Sequence, residues 1–406
     1  MTKLEKLLQE LCPEGVVYKT LGEIATDVFR GAGIKRDQVR ETGTPCVRYG
    51  EIYTTYGVWF ENCVSHTDET LLTSKKYFGY GDILFAITGE SVEDIAKCCA
   101  YIGHETCLAG GDIVVLKHNE DPKYLSYTLS TLDAQKQKSK GKVKSKVVHS
   151  SVPDIKAIRI PVPPLPVQRE IVRILDNFAE LTAELTAELI ARKQQYACYR
   201  DKLLSTNNSS VPVVELRDIV KKSCSGATPA KGNAEYYENG TIPWIRTQDV
   251  RFNEITEVNS YVTEKAVSET ATKWIPENCV IVAISGATAG RCAINKIKAT
   301  TNQHCLNLII DDSMALYRYV FHCLCSKYEE LISRKQGARG DLNSSLILSL
   351  PIPIPSLEVQ KRLVEVLDNF DVICTDLNIG LPAEIEARQK QYEYYRDKLL
   401  TFTPAD

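Results

Sequence analysis

Two kinds of apolar pattern alternate along the chain. Short unbroken runs between turn residues, "GDILFAIT" from Gly81, "GGDIVVLK" from Gly110, "ENCVIVAIS" from Glu277 and "HCLNLII" from His304, predict short buried strands. "PKYLSYTLSTLDAQKQ" and "ALYRYVFHCLCSKYEELISRK" follow them with helical spacing. Long helical stripes come next. Ile171, Ile174, Leu175, Phe178, Leu181, Leu185, Leu189, Tyr196, Tyr199 and Leu203 form the first, and Leu363, Leu367, Phe370, Leu377, Ile385, Tyr392, Tyr395 and Leu399 the second. Each opens after a proline-rich approach, "PVPPLP" or "PIPIPS", and proline suits only the first turn of a helix. "GLP" at Gly380–Pro382 should break the second.

The stripes reveal that the chain is written twice. "IPVPPLPVQREIVRILDNF" (160–178) returns as "IPIPSLEVQKRLVEVLDNF" (352–370), and "RKQQYACYRDKLL" (192–204) as "RQKQYEYYRDKLL" (388–400). Weaker matches keep the same order: "LGEIA" with "LRDIV", "PCVRYGEI" with "PWIRTQDV", "FAITGE" with "VAISGA". The fold class expected is α+β. Two similar globular modules (1–160 and 206–351) are separated by two long helical regions (161–205 and 352–402), packed as an antiparallel coiled coil. Phe178, Leu181, Leu185, Leu189, Tyr196, Tyr199, Phe370, Ile385, Tyr392 and Tyr395 are the expected packing residues.

Inside the first stripe, T-A-E-L occurs twice in succession, so Leu181, Leu185 and Leu189 stand four apart. A step of four turns the seam by about 40° and lengthens the helix by about 6 Å. Such an array suits a spacer of adjustable length.

Composition narrows the function. The 406 residues carry 49 basic and 52 acidic side chains, so no global charge points to nucleic acid. No apolar run reaches membrane length, and the start lacks the core of a signal peptide, so a cytoplasmic protein without a membrane partner is expected. The 14 cysteines are then reduced thiols, and their spacing fits no zinc module. Phosphate-loop, dinucleotide, zinc-protease and serine-hydrolase motifs are absent, as is the N-P-P-[YF] of adenine methyltransferases. Catalytic, cofactor-binding and metal residues are therefore none.

Local charge is more informative. Lys136, Lys138, Lys140, Lys142, Lys144 and Lys146 form an acid-free basic stretch, read as a flexible loop. Arg334, Lys335 and Arg339 occupy the matching place in the second module. Both suit DNA phosphates, while Arg246 and Gln248 suit base edges. A solvated charge run on a pair of heads that bind only protein is the alternative.

With these motifs together, nearly the whole chain resembles the DNA specificity subunits of type I restriction–modification systems. "LGEIA…GAG", "LRDIV…SGATP", "YYENGTIPWIRTQDV", the "LNSSLILSLPIPIPSLEVQKRLVEVLDNF" lead-in to the second helix and the two "YRDKLL" closures carry the resemblance. It implies two target recognition domains on double-stranded DNA, each reading half of a split site. It further implies two methyltransferase subunits held by the helices, and two restriction/translocase subunits. S-adenosylmethionine, ATP and Mg²⁺ would be bound by those partners, with no cofactor on this chain.

Overall fold

The computed structural model describes residues 1–140, 142, 147–205, 211–334, 341–376 and 378–405. The chain forms two compact units, Met1–Leu185 with Ile385–Asp406, and Thr186–Glu384. The division falls inside the T-A-E-L array, so each unit holds one globular module and parts of both long helices.

In the first unit a five-stranded sheet runs Ala25–Arg30, Ile113–His118, Ile83–Ala86, Cys98–Tyr101, Trp59–Phe60. All pairs are antiparallel except the last. Its central strands bury both faces. Ile83, Phe85, Val114 and Leu116 meet the helical layer, while Leu84, Ala86, Ile113 and Val115 meet a second sheet. This double burial is why the runs are apolar without alternation. The second sheet runs Val39–Arg40, Ser65–Thr67, Thr44–Val47, Cys107–Ala109, Tyr77–Phe78. The second unit repeats the plan: Val220–Ser225, Cys305–Ile310, Val280–Ala283, Cys292–Asn295, Asn253–Ile255, then Tyr261–Val262, Ile242–Ile245, Ala299–Thr301, Trp274–Ile275.

The first long helix, Leu165–Leu203, is continuous over 39 residues. The second splits into Leu357–Thr375 and Leu381–Leu399. The break falls at the predicted place: a Cβ on Gly380 would stand 2.6 Å from the carbonyls of Val372 and Asp376. Leu377 lies outside the described residues.

In the first unit, Phe178 stacks on Tyr395 at 5.5 Å and Tyr127 meets Tyr392 edge-on at 6.5 Å. In the second, Phe370 lies against Tyr196 and Tyr199 at 6.3 and 6.1 Å. Each unit thus packs a stretch of the first long helix on a stretch of the second. The aliphatic packing residues contribute less than expected. Leu181 is 37% exposed, and Leu185, Leu189 and Ile385 are only half-buried. A strict step of four carries each leucine off a fixed contact line, so aromatic rings hold the pairing instead.

One buried glutamine joins each module to its long helix. Gln168 accepts from the Asp121 amide at 3.0 Å and donates to Glu120 and to the Pro163 carbonyl, both at 2.7 Å. Gln360 accepts from the Leu316 amide at 2.9 Å and donates to the Met314 and Pro355 carbonyls at 3.1 and 2.9 Å. Both side chains are fully buried. Leucine at either place strands an amide and carbonyls, at about 1–3 kcal/mol per stranded group. Gln168→Leu and Gln360→Leu are therefore each expected to lower the midpoint of thermal unfolding by several degrees. Differential scanning calorimetry checks this; an unchanged midpoint would show the joint to be dispensable.

Candidate nucleic-acid interface

Each unit contains one parallel pair in its second sheet, Thr44–Val47 with Cys107–Ala109, and Ile242–Ile245 with Ala299–Thr301. Where such a pair ends, side chains from two strands and their loops leave at the same edge. A third loop closes on this edge in both units. The Ala32 amide donates to the Ala109 carbonyl at 3.0 Å, and the Ala227 amide to that of Thr301 at 3.0 Å. The approach requires glycine. A Cβ on Gly31 would lie 2.1 Å from the Gly110 carbonyl, and one on Gly226 would lie 1.8 Å from that of Thr301. The "GAG" and "SGATP" motifs are thus backbone requirements at one shared edge.

The residues at that edge differ. In the second unit Arg246 leaves the strand Ile242–Ile245 with its guanidinium 5.8 Å from the Trp244 ring. Asp249 accepts from its backbone amide at 2.8 Å, and its buried Nε has no partner among the described residues. Gln248 is exposed in the following turn, whose carbonyl takes the Arg251 Nε at 2.6 Å. Thr228 bonds Gln303, and Gln303 lies 3.1 Å from the His304 ring nitrogen. In the first unit the corresponding arginine, Arg48, is clamped by buried Glu51 at 2.9 Å, which also accepts from Ser65 at 2.7 Å. Lys35 and Arg36 are exposed on the loop that begins at Gly31. Gln303, Lys35 and Arg36 were not singled out by motif, and Thr228 only as part of "SGATP". The close-approach glycines were the available signal, since they mark where three loops converge.

The basic stretches occupy matching places. The first begins within the second of two helices, Pro122–Leu129 and Leu132–Ser139, and the other directly after the pair Tyr317–Ser326 and Tyr328–Ser333. The first is not a loop throughout, because residues up to Ser139 are helical. Lys136 and Lys140 are exposed. Lys138 is a correction: it is 4% exposed, and its ammonium donates to the Leu129 carbonyl at 2.7 Å, closing the end of the preceding helix. Lys142 pairs with Asp154 at 2.8 Å, which helps hold that carboxyl below its ordinary range. Arg334 pairs with Glu330. Neither is a free cation. Lys144, Lys146, Lys335 and Arg339 lie outside the described residues.

All 14 cysteines are unbridged, and burial, with a smaller push from Cys224 and Asp249 respectively, raises the Cys279 and Cys305 thiols to about 12. No described helix is long and apolar enough to cross a membrane.

The comparisons with known proteins agree with this duplicated plan. The family model for the type I restriction modification DNA specificity domain matches twice, over residues 13–192 and 208–387. The specificity subunit of the Escherichia coli type I restriction enzyme EcoR124I/EcoR124II is 38% identical over 291 residues, 69% of this chain and 70% of that one. A putative type I restriction enzyme specificity subunit of Haemophilus influenzae is 30% identical, over 65% of this chain and 68% of its own length. Among solved structures, a chain of a type I restriction–modification system reaches a TM-score of 0.70 at 17% identity, covering 96% of this chain and 98% of that one. The HsdS subunit of Thermoanaerobacter tengcongensis reaches 0.53 at 16% identity, covering 96% of both chains. By its two domain matches and its close relatives, this chain belongs to the family of type I restriction–modification DNA specificity subunits.

Proposed function

We propose that the chain reads an asymmetric, split DNA site, one block per module, and holds two methyltransferase subunits there. Two restriction/translocase subunits join for cleavage. Methyl transfer from S-adenosylmethionine and the ATP- and Mg²⁺-dependent steps belong to those partners, in the cytoplasm; this chain is not catalytic. The observation that carries the reading is one edge built twice from the same backbone and filled with different donors and acceptors. Identical scaffolding with unlike planar and charged groups fits two base sequences read by one docking geometry. A map of methylated bases in a host expressing the chain with its methyltransferase tests it. Two unlike blocks around a fixed gap are expected; a palindrome would overturn it.

Phosphate contacts are assigned to Lys136 and Lys140, and base contacts to Arg246 and Gln248. Replacing both lysines by glutamine should weaken binding to every sequence and reduce the salt slope by up to about 2. Lys138→Gln should leave that slope unchanged and cost stability instead. Arg246→Ala should cost about 1–3 kcal/mol, mostly at one base position. Fluorescence anisotropy across a salt series and a set of single-base variants separates the three; equal behaviour of Lys138 and Lys136 would refute the assignment.

The T-A-E-L array is proposed to set the gap. One block contributes about 6 Å and about 40° beyond a full turn. B-DNA rises about 3.4 Å per pair and turns about 34°, from roughly 10.5 pairs per turn. A module must face its groove, so rotation decides, and one block corresponds to one base pair. Deleting Thr182–Leu185 should shorten the gap by one pair and preserve both flanking blocks. The deletion should fold, since the side chains removed are at most half-buried. A methylation map of the deletion strain with an unchanged gap would mean the repeat is ordinary helix.

A further inference from the structure

One cavity of the second unit shares no residue with the edge described above or with the joint at Gln360. It encloses about 300 Å³ and gathers aromatic rings from three parts of the chain. Tyr196 comes from the first long helix, Phe321 and Tyr328 from the helices Tyr317–Ser326 and Tyr328–Ser333, and Phe252 from the loop before the strand Asn253–Ile255. Phe321 is buried, and Tyr196 and Tyr328 are half-buried. Phe252 stands edge-on to Tyr328 at 5.1 Å. Its φ is +61°, a left-handed conformation that a bulky side chain rarely adopts. Its amide is fixed on the Cys292 carbonyl at 2.8 Å. Backbone strain of this kind persists only where the surroundings impose it, and it gathers at ligand sites.

The charge of the cavity is not balanced. Asp371 is half-buried, and its carboxylate has no hydrogen bond or ion pair among the described residues. Burial lifts this carboxyl above its ordinary range, while His322 and Arg318 pull the other way. Both of those groups are committed elsewhere, Arg318 to Asp368 and Glu254, His322 to Asp368 at 2.7 Å. Arg200 pairs with Asp201 at 2.9 Å and lies 5.7 Å from the Tyr196 ring, so one ring already takes a cation on its face. Glu329, which is exposed, adds a second carboxylate without a partner among the described residues. The fold does not need this chemistry. The match of 160–178 with 352–370 places Ala179 where the second repeat has Asp371. Tyr124 and Tyr319 donate to the Pro161 and Pro353 carbonyls at 3.0 and 2.8 Å, which registers their two helices and places Ser126 where the second unit has Phe321.

We propose that this cavity binds a linear diammonium ion, a polyamine, with one ammonium against Asp371 among the four rings and the other on Glu329. Ring faces attract positive charge, so an aromatic box around an unpaired carboxylate selects an organic cation. A small metal ion would have to shed water that the rings cannot replace. The two carboxylates select a double charge, and the rings select an alkyl stem. The proposal does not rest on the reading of DNA.

Isothermal titration of the full chain with putrescine tests it. One site per chain is expected, with at least tenfold weaker binding of butylamine, which lacks the second charge. Asp371→Ala, the residue the first repeat carries, should weaken putrescine at least tenfold. Glu365→Ala, exposed on the same helix and outside the cavity, should bind as the parent does. Mg²⁺ at matched ionic strength should not compete. The ligand-free Asp371→Ala chain should unfold at the parent's temperature or above, since only an unpaired carboxylate is removed. A fall would show that the carboxylate serves the fold and would overturn the assignment. A parent chain that binds no putrescine, or an Asp371→Ala chain that binds it as tightly, overturns it too. Displacement by Mg²⁺ would reduce the attraction to surface charge, and equal binding of butylamine would reduce the ligand to a single ammonium such as a lysine side chain; either result contradicts the proposal.

Discussion

Neither repeat closes its own core. The last residues of the first helical repeat bury Leu204 in the second unit, against Leu216, Leu350 and Ile352. The last residues of the second repeat bury Leu400 in the first unit, with Leu21, Ile160 and Val167. Each leucine fills a core that belongs to the other half of the sequence, and losing such a side chain costs about 2–5 kcal/mol. The exchange ties the chain ends as well. The Val16 amide donates to the Thr403 carbonyl at 2.9 Å, and the Ala405 amide to that of Val16 at 3.0 Å. Both helical repeats must therefore keep faces that fit both modules. This accounts for their likeness in a sequence whose modules have diverged.

The modules could diverge because the conserved requirements sit in backbone. The second sheet of each unit, five-stranded in the first and four-stranded in the second, holds the parallel pair, and Gly31 and Gly226 bring the loop to its edge. A glycine with no room for a Cβ fixes where the loop goes without fixing what it carries. Arg48 held by Glu51, and Arg246 whose Nε has no partner among the described residues, show two electrostatic settings of one position. Specificity can then change by side-chain replacement at constant fold.

Much of this was legible in the sequence, for physical reasons that differ by feature. The repeat was visible because "YRDKLL" recurs unchanged and "ILDNF" returns as "VLDNF". Strands such as 83–86 and 280–283 stood out because two buried faces leave no polar alternation. The helix break at Gly380 was legible from proline and glycine geometry alone. Charge was the least legible. Lys138 belongs to a run of similar lysines, and only the position of the Leu129 carbonyl distinguishes it as a buried donor. Leu181 keeps helical spacing yet faces solvent, because spacing states which residues share a face and not what covers it. Nothing in the sequence distinguishes Gln168 and Gln360 from exposed glutamines; the turns beside them do.

The account's central claim is that each module reads its own block while the helices hold the gap. Exchange of residues 21–156 for those of another family member tests it most directly. That segment lies between the paired strands Tyr18–Thr20 and Arg159–Pro161, so both helices and the closing residues around Leu400 stay intact. The methylation map of the hybrid is predicted to show one block replaced, the other unchanged and the gap of the same length. A hybrid that altered both blocks, or changed the gap, would contradict independent reading by two modules on a common spacer.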